Sequence, residues 1–285
     1  MGEIRDRMIK EMELRGLAAA TKKSYLTCCR VFVAHYMKSP EELHAEDVKA
    51  FLLHLIHERK AGPACVAVYV AALRFLYRRV LDIPEVVDGV PRPKLVHKMP
   101  DILSREEVVQ VLSAVRSLKL RTILSMAYSA GLRISEALRM RVEDVDSKRM
   151  VLHVRGAKGG KDRMVLLSPR LLTMLRDYWK AERPKGSLLF PGRFGRPVHI
   201  DVLRRALWAT LDGLSLSKRV TLHSFRHGFA THLLEDGTDL RVIQQLLGHS
   251  SPLTTAHYTQ VSTRNYQQVT SPLDRLDLGK SATTP

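Results

Sequence analysis

The residues of this chain that could do chemistry are concentrated in its last third. His223, Arg226 and His227 fall within five residues, His249 follows a Leu-Gly pair, and Tyr258 comes nine residues after His249. A tyrosine hydroxyl can attack phosphorus, and cations around it can hold the charge that builds on the phosphate oxygens. The pattern therefore favours chemistry on a phosphodiester.

Two upstream segments add cations to this set. Residues 131–136 read Gly-Leu-Arg-Ile-Ser-Glu and contain Arg133 and Glu136. Residues 156–161 read Gly-Ala-Lys-Gly-Gly-Lys, contain Lys158, and predict a basic turn between two strands. The Arg133 guanidinium is always charged and can bind two oxygens at once, and the ammonium group of Lys158 adds a further positive charge. Both segments therefore fit a phosphate-binding role.

Other chemistries fit the histidines less well. His223, His227, His232, His249 and His257 have no cysteine nearby and no carboxylate at a spacing typical of zinc enzymes. No serine lies in a Gly-x-Ser-x-Gly elbow, and no Walker loop is present. What remains is cationic phosphate binding beside a tyrosine, and neither a metal nor another cofactor is expected.

The elements that must position these residues follow from apolar periodicity. In the first third, the pattern predicts a short helix over residues 1–16, a longer one from Thr21, a third around residues 46–59, and a fourth from Pro63 to about Leu81. Four prolines within residues 82–100 then predict an extended basic linker without a helix.

The sequence after residue 100 predicts a second domain that contains both helices and strands. Ser104 and Glu107 form a capping-box pattern, and the apolar stretch 123–130 predicts a helix through the core that ends at Gly131. Residues 150–155 and 163–167 are the clearest strand pair. Further helices are predicted over about 169–179, 201–213, 224–236, 239–247 and 252–258. The fold class is therefore mainly α with a small β-sheet, in three parts: a helical domain (1–83), a linker (84–100) and a catalytic domain with a C-terminal tail (101–285).

Charge indicates the partner. The formal net charge is +17, and residues 1–100 hold 17 Lys/Arg against 12 Asp/Glu, while residues 101–285 hold 29 against 17. Both halves are basic, which favours a nucleic acid that spans them. Cys28, Cys29 and Cys65 lack metal-ligand spacing, and no apolar run approaches the ~18 residues of a membrane span. We expect a cytoplasmic protein that associates with the nucleoid when bound to DNA.

The ordered motifs around Arg133, Lys158, Arg226, His249 and Tyr258 resemble those of the tyrosine recombinases of the phage integrase and Xer type. The resemblance runs from about residue 21 to residue 261. It implies a SAM-like, core-binding N-terminal domain and a mainly helical catalytic domain. It also implies cleavage and rejoining of DNA without metal or ATP.

Carried over residue by residue, the resemblance implies a role for each site residue. Tyr258 is the nucleophile that forms a 3′-phosphotyrosyl link and releases a 5′-hydroxyl. Arg133 and Arg226 clamp the non-bridging oxygens, and Lys158 protonates the leaving oxygen, although Lys161 competes for that role. The remaining roles are proton-transfer assistance by His223, hydrogen bonding to the phosphate by His249, and support of the site by Glu136.

The sequence also predicts how the protein binds DNA and how it assembles. DNA contacts are predicted for Lys22, Lys23, Arg74, Arg78, Lys161 and Arg163. The resemblance implies a homotetramer on paired double-stranded sites.

Two alternative functions stay open: a type IB topoisomerase and a non-catalytic DNA-binding protein of the same fold. After Tyr258, a loose apolar stripe predicts a tail that either docks on a neighbouring subunit or folds back on its own domain.

Overall fold

A computed structural model describes residues 2–94, 101–156 and 162–248 of the chain. The chain divides into two compact units, Met1–Lys98 and Met99–Pro285. Within the described residues, none of the helices has the length and apolar character needed to cross a membrane. The mainly helical fold class with a small sheet is confirmed.

Over the residues described, the regular elements of the first unit are all helices. Its helices are α1 (Gly2–Leu14), α2 (Ala19–Tyr36), α3 (Ala45–His57), α4 (Pro63–Phe75), a π-helical extension of α4 (Leu76–Leu81) and α5 (Glu85–Asp88). Phe32, Phe51 and Tyr77 are fully buried at its centre, and their rings meet edge to face. The Tyr77 hydroxyl donates to the Pro40 carbonyl at 2.9 Å, which satisfies the polar end of a buried ring. The predicted helices of this unit are thus confirmed.

The prediction that residues 82–100 contain no helix is wrong at α5. Pro84 stands immediately before α5 with φ −61°, where its missing N–H costs the helix nothing. Val86, Val87 and Val90 are buried in the core of the first unit, so apolar burial outweighs the proline density that favoured an extended chain.

The second unit combines helices with one antiparallel sheet. Its helices are α6 (Arg105–Ala114), α7 (Leu118–Ser129), α8 (Ile134–Arg139), α9 (Pro169–Glu182), α10 (Ile200–Leu211), α11 (Ser224–Glu235) and α12 (Leu240–Leu247). Its strands, in sheet order, are β1 (Val145–Asp146), β2 (Val151–Val154) and β3 (Arg163–Leu166). Helix α8 and the two-residue strand β1 are too short to leave a periodic signal, and sequence reasoning missed both.

Two predicted details of the second unit are confirmed. The Ser104 side chain accepts from the Glu107 N–H, and the Glu107 carboxylate accepts from the Ser104 N–H, which is the capping box. Strands β2 and β3 pair with Leu152 opposite Val165, both buried. The hairpin's inner face therefore packs on the core while its turn, residues 157–161, lies outside the described residues.

Gly131 lies where two helices leave no room for a side chain. Its φ is +62°, and a Cβ built there would lie 2.5 Å from the Phe229 ring of α11 and 3.1 Å from Leu247 of α12. Only glycine combines that backbone conformation with so close an approach. The glycine thus brings the start of the Arg133 segment against α11 and α12.

We expect Gly131→Ala to lower the free energy of unfolding of the second unit by about 3 kcal/mol, because left-handed strain adds to overpacking. The matched control is Gly186→Ala, which has φ +87° but open space around its Cβ, and should cost about 1–2 kcal/mol from strain alone. Trp179 and Trp208, the two tryptophans of the chain, both lie in the second unit, so their fluorescence follows its denaturation. Equal losses in the two variants would contradict the crowding argument.

Candidate active site

Glu136, in the first turn of α8, lies at the centre of the candidate site and contacts three arginines. Arg133 stands at the N-cap of α8, and its N–H donates to Glu136 Oε2 at 2.8 Å. The Arg133 Nη1 also donates to Glu136 Oε1 at 2.7 Å. A carboxylate in the first helical turn is favoured by the helix dipole and caps the helix, so local geometry alone joins these two residues.

Arg163, the first residue of β3, holds the same carboxylate from the opposite side. Its Nη1 and Nη2 donate to Glu136 Oε1 and Oε2 at 3.0 and 2.8 Å, a two-pronged contact. Its Nε donates to the Leu246 carbonyl in the last turn of α12 at 3.0 Å. The Arg163 side chain is only 10% exposed, so the guanidinium is committed to protein partners.

Arg226 joins the group from α11, which is buried along most of its length. The residue is 5% exposed, and its guanidinium donates to the carbonyls of Gly131 and Leu247, both at 2.6 Å. Its Nη1 lies 3.8 Å from Glu136 Oε2. Arg226 therefore connects the glycine turn before Arg133 to the C-terminal end of α12, where unsatisfied carbonyls need donors.

The electrostatics of this cluster favour an added anion. Burial by itself raises the pKa of Glu136, but hydrogen bonds and charge from Arg163 and Arg133 outweigh it and lower that pKa to about 2. One ionised carboxylate thus stands among three guanidiniums, Arg133, Arg163 and Arg226. The three guanidiniums carry two more formal charges than the one carboxylate, and this excess suits a phosphate.

Two histidines of α11 lie beside the arginines. His223 is exposed overall at the N-terminal end of α11, but packing around its ring and the charges of Arg226 and Arg133 lower its pKa. Burial, His223 and Arg226 together lower the pKa of His227 to about 4. The lowered pKa favours the neutral imidazole of His223 in the free protein, and an arriving phosphate would raise that pKa.

His232 is separate from this chemistry. Its Nδ1 lies 2.8 Å from the Tyr128 hydroxyl, and it is 6% exposed. Arg105 pairs with Asp236 next to it at 2.8 Å. His232 thus packs and hydrogen-bonds within the protein.

A basic groove of about 560 Å³ extends from Arg133 between α8 and β2. Its cations include Arg139, Arg141 and Arg155, and Arg155 is held by the buried Asp144 at 2.6 Å. The groove ends at Gly156, where the described part of the hairpin stops. It offers a cationic path beside the arginine cluster. Among the described residues, no group of three or more His, Cys, Asp or Glu side chains is placed to hold a metal ion.

The structure brings together Arg133, Glu136, Arg226 and His223 of the predicted site. Four predicted site residues lie outside the described residues: Lys158, Lys161, His249 and Tyr258. Arg163 is in a different environment from the one predicted, because its guanidinium binds Glu136 and Leu246 where a DNA contact was expected. A signal for this was available: with the strand period of two, Arg163 shares a face with buried Val165 and Leu167.

Three of the four predicted DNA contacts of the first unit have protein partners of their own. Lys22 pairs with Glu13 at 3.2 Å, and Arg78 pairs with Asp88 at 2.6 Å. Arg74 donates to the Val90 carbonyl at 2.6 Å, and burial together with the charges of Arg92 and Arg78 lowers its pKa. Within the described residues, the Lys23 side chain makes no hydrogen bond or ion pair.

Two family profiles match this chain. The profile of the phage integrase family matches residues 101–265, and that of the phage integrase N-terminal SAM-like domain matches residues 4–85. Together with the arginine cluster these matches decide the family. The chain belongs to the phage integrase family. It is a tyrosine recombinase, an enzyme that cleaves and rejoins DNA.

Individual relatives agree with the family. The Sinorhizobium fredii protein y4qK, which is named as an integrase/recombinase, is 44% identical over 100% of this chain and 92% of its own length. Tyrosine recombinase XerA of Pyrococcus horikoshii is 33% identical, with coverage of 84% and 85%. The chain is thus similar to these recombinases along nearly its whole length.

Solved structures of lambda integrase share the fold. A dimer bound to a core site matches with a TM-score of 0.72 at 21% identity, covering 90% of this chain and 94% of the other. A tetramer bound to a Holliday junction matches with a TM-score of 0.71 at 20% identity, covering 90% and 76%.

Proposed function

We propose that this recombinase exchanges DNA strands at specific sites through Tyr258, with Arg133 and Arg226 as the clamp for the scissile phosphate. The observation that carries the proposal is the arginine cluster around Glu136. Three guanidiniums share one carboxylate there, and the cluster is held by three backbone carbonyls, one in the Gly131 turn and two at the end of α12. A preorganised cationic site of this kind stabilises the charge that develops on phosphorus-bound oxygens.

The reaction consists of two transesterifications. The Tyr258 oxygen attacks phosphorus while the bond from phosphorus to the 5′-oxygen breaks, and the tyrosine loses its proton as the leaving oxygen gains one. Lys158 supplies the proton to the 5′-oxygen, and His223 assists proton transfer at the phosphate. The reaction replaces one phosphodiester bond with another, so the 3′-phosphotyrosyl link retains the free energy of the broken bond. Attack by a different 5′-hydroxyl therefore rejoins the strands without an energy source.

The experiment that tests this function is capture of the covalent intermediate. A duplex selected by binding from a random library and nicked near the cleavage site loses a short fragment on cleavage, so rejoining is prevented. We expect an SDS-resistant protein–DNA adduct, with the nucleotide on the peptide that contains Tyr258. Binding without any adduct on nicked duplexes would favour the non-catalytic alternative.

DNA contacts in the first unit are proposed to come from a groove of about 520 Å³. Its wall carries Arg74, Arg78, Arg79 and Arg92, of which Arg78 pairs with Asp88. Mutual repulsion of these guanidiniums is relieved when phosphates approach, and counterion release adds to affinity. Lys22 and Lys23 extend this basic character on α2.

We further propose a tetramer on paired sites, in the cytoplasm and on the nucleoid. The support is that lambda integrase, which shares the fold, forms a dimer on a core site and a tetramer on a junction. The tail, residues 259–285, lies outside the described residues and is proposed to dock on the neighbouring subunit. Its large apolar residues are Val261, Tyr266, Val269, Leu273, Leu276 and Leu278.

Truncation after Ser262 tests the tail. We expect single-site binding to stay within about threefold, while assembly on paired sites and strand exchange are lost, because the apolar stripe that would bind the neighbour is removed. The matched control deletes only residues 279–285, which contain no large apolar side chain. Native gels on paired sites measure assembly. Wild-type tetramer formation and recombination by the truncated protein would show that the tail is not an exchange element.

A further inference from the structure

Arg163 ties together three parts of the site that are far apart in sequence. It begins β3, five residues after Lys158, and grips Glu136 of α8 with both Nη atoms. Its Nε caps the Leu246 carbonyl of α12, two residues before Gly248. It is thus bonded both to the segment that carries Arg133 and to the helix that leads to His249.

The packing around Arg163 is as specific as its hydrogen bonds. Gly248 has φ +62°, and a Cβ there would lie 3.0–3.1 Å from Cδ, Nε and Nη1 of Arg163. The guanidinium therefore lies directly against the glycine that ends α12. With 10% of its side chain exposed and all three nitrogens donating, Arg163 has little left to offer a DNA phosphate.

We propose that Arg163 is a positioning residue, which fixes Glu136, and through it Arg133, relative to the end of α12. The proposal rests on the proposed function of the arginine clamp and adds to it the residue that sets the clamp's geometry. A two-pronged contact needs the planar fork of arginine, so lysine replaces its charge but not its geometry. Because Arg163 acts through Glu136, replacement of Arg163 slows cleavage and leaves DNA affinity nearly unchanged.

The charged groups that surround Glu136 give the proposal a pH signature. Among the described residues they are Arg133 at the N-cap of α8, Arg163 on β3 and Arg226 on α11, with His223 beside the last. Burial raises the pKa of Glu136, and Arg163 and Arg133 lower it. When Arg163 is removed, the pKa of Glu136 therefore rises. The carboxylate then takes up a proton as the pH falls, and Arg133 loses its partner.

The test compares Arg163→Met and Arg163→Lys in the full chain on a nicked duplex at saturating protein. We expect the rate of adduct formation to fall about 10²-fold for Met and about 10-fold for Lys, since small displacements of a clamp have effects of this size. The dissociation constant should stay within about threefold. The control is Arg176→Met, which removes an exposed cation of α9 and should leave the rate unchanged.

Two readouts separate positioning from a loss of stability. The ratio of the Arg163→Met rate to the wild-type rate should fall further as the pH is lowered, and the double variant with Glu136→Gln should remove that trend. The double variant should also be little slower than the slower single variant, because the two residues act as one unit. Tryptophan fluorescence establishes that every variant is folded under the assay conditions.

Two results would overturn the proposal. A wild-type rate at saturation combined with weakened binding would make Arg163 a DNA contact. If the rate loss of Arg163→Met is equal at every pH and additive with that of Glu136→Gln, Arg163 only stabilises the fold and does not position Glu136. A failure of the proposed function is distinguishable from both, because wild-type protein would then form no adduct at Tyr258.

Discussion

Replacement of Tyr258 by phenylalanine is expected to abolish the covalent protein–DNA adduct while DNA binding persists. Only the hydroxyl is removed, so the nucleophile is lost but none of the cations that hold the phosphate changes. We expect at least about a 10⁴-fold lower rate of adduct formation, in line with loss of a nucleophile in other enzymes. Band shifts at equal salt should give dissociation constants within about threefold of each other.

The matched control for this variant is Tyr266→Phe. Tyr266 is the nearest other tyrosine after Tyr258, but it lacks the preceding Leu-Gly-His pattern. Its variant should form the adduct at the wild-type rate. An adduct of normal yield in Tyr258→Phe, or its disappearance in Tyr266→Phe, would reassign the nucleophile.

Replacement of Glu136 by glutamine is expected to lower both stability and cleavage. The variant keeps the shape of the side chain but leaves three guanidiniums without their shared negative charge. A pKa lowered from 4.5 to about 2 corresponds to about 3 kcal/mol of stability at pH 7. Cleavage should fall about 10²–10³-fold, because Arg133 loses the partner that orients it.

The stability effect of Glu136→Gln carries a pH dependence of known sign. The folded-state pKa of Glu136 is below its unfolded value, so the contribution is complete above about pH 5 and disappears as the pH falls toward 2. Denaturation followed by tryptophan fluorescence should therefore show a constant difference from wild type near neutrality. That difference should shrink in acid.

The control for this variant is Glu143→Gln. Glu143 also pairs with two arginines, Arg141 and Arg155, but its side chain is 56% exposed. Solvent screens such pairs, so the change should stay within about 0.5 kcal/mol. A similar loss in both variants would contradict the special role of the Glu136 cluster.

The sequence by itself determined the family and most of the helices. Five motifs in order identify a tyrosine recombinase, and helical periodicity places the helices of both units, because each signal is local. The Ser104 capping box and the β2–β3 pair were likewise readable from neighbouring residues. The assignments of Lys158, His249 and Tyr258 stay predictions, because these residues lie outside the described part.

Only the tertiary structure decided how the cations are arranged. Arg226 bonds to Gly131 across 95 positions of the chain, and Arg163 bonds to Glu136 across 27. Neither pairing has a periodic signature, because each depends on how α8, α11, α12 and β3 pack together. The same reason explains α5, where burial of valines in a distant core outweighs the local preference of its prolines. Local rules therefore indicate which residues can do the chemistry, and long-range packing decides how those residues are arranged around Glu136.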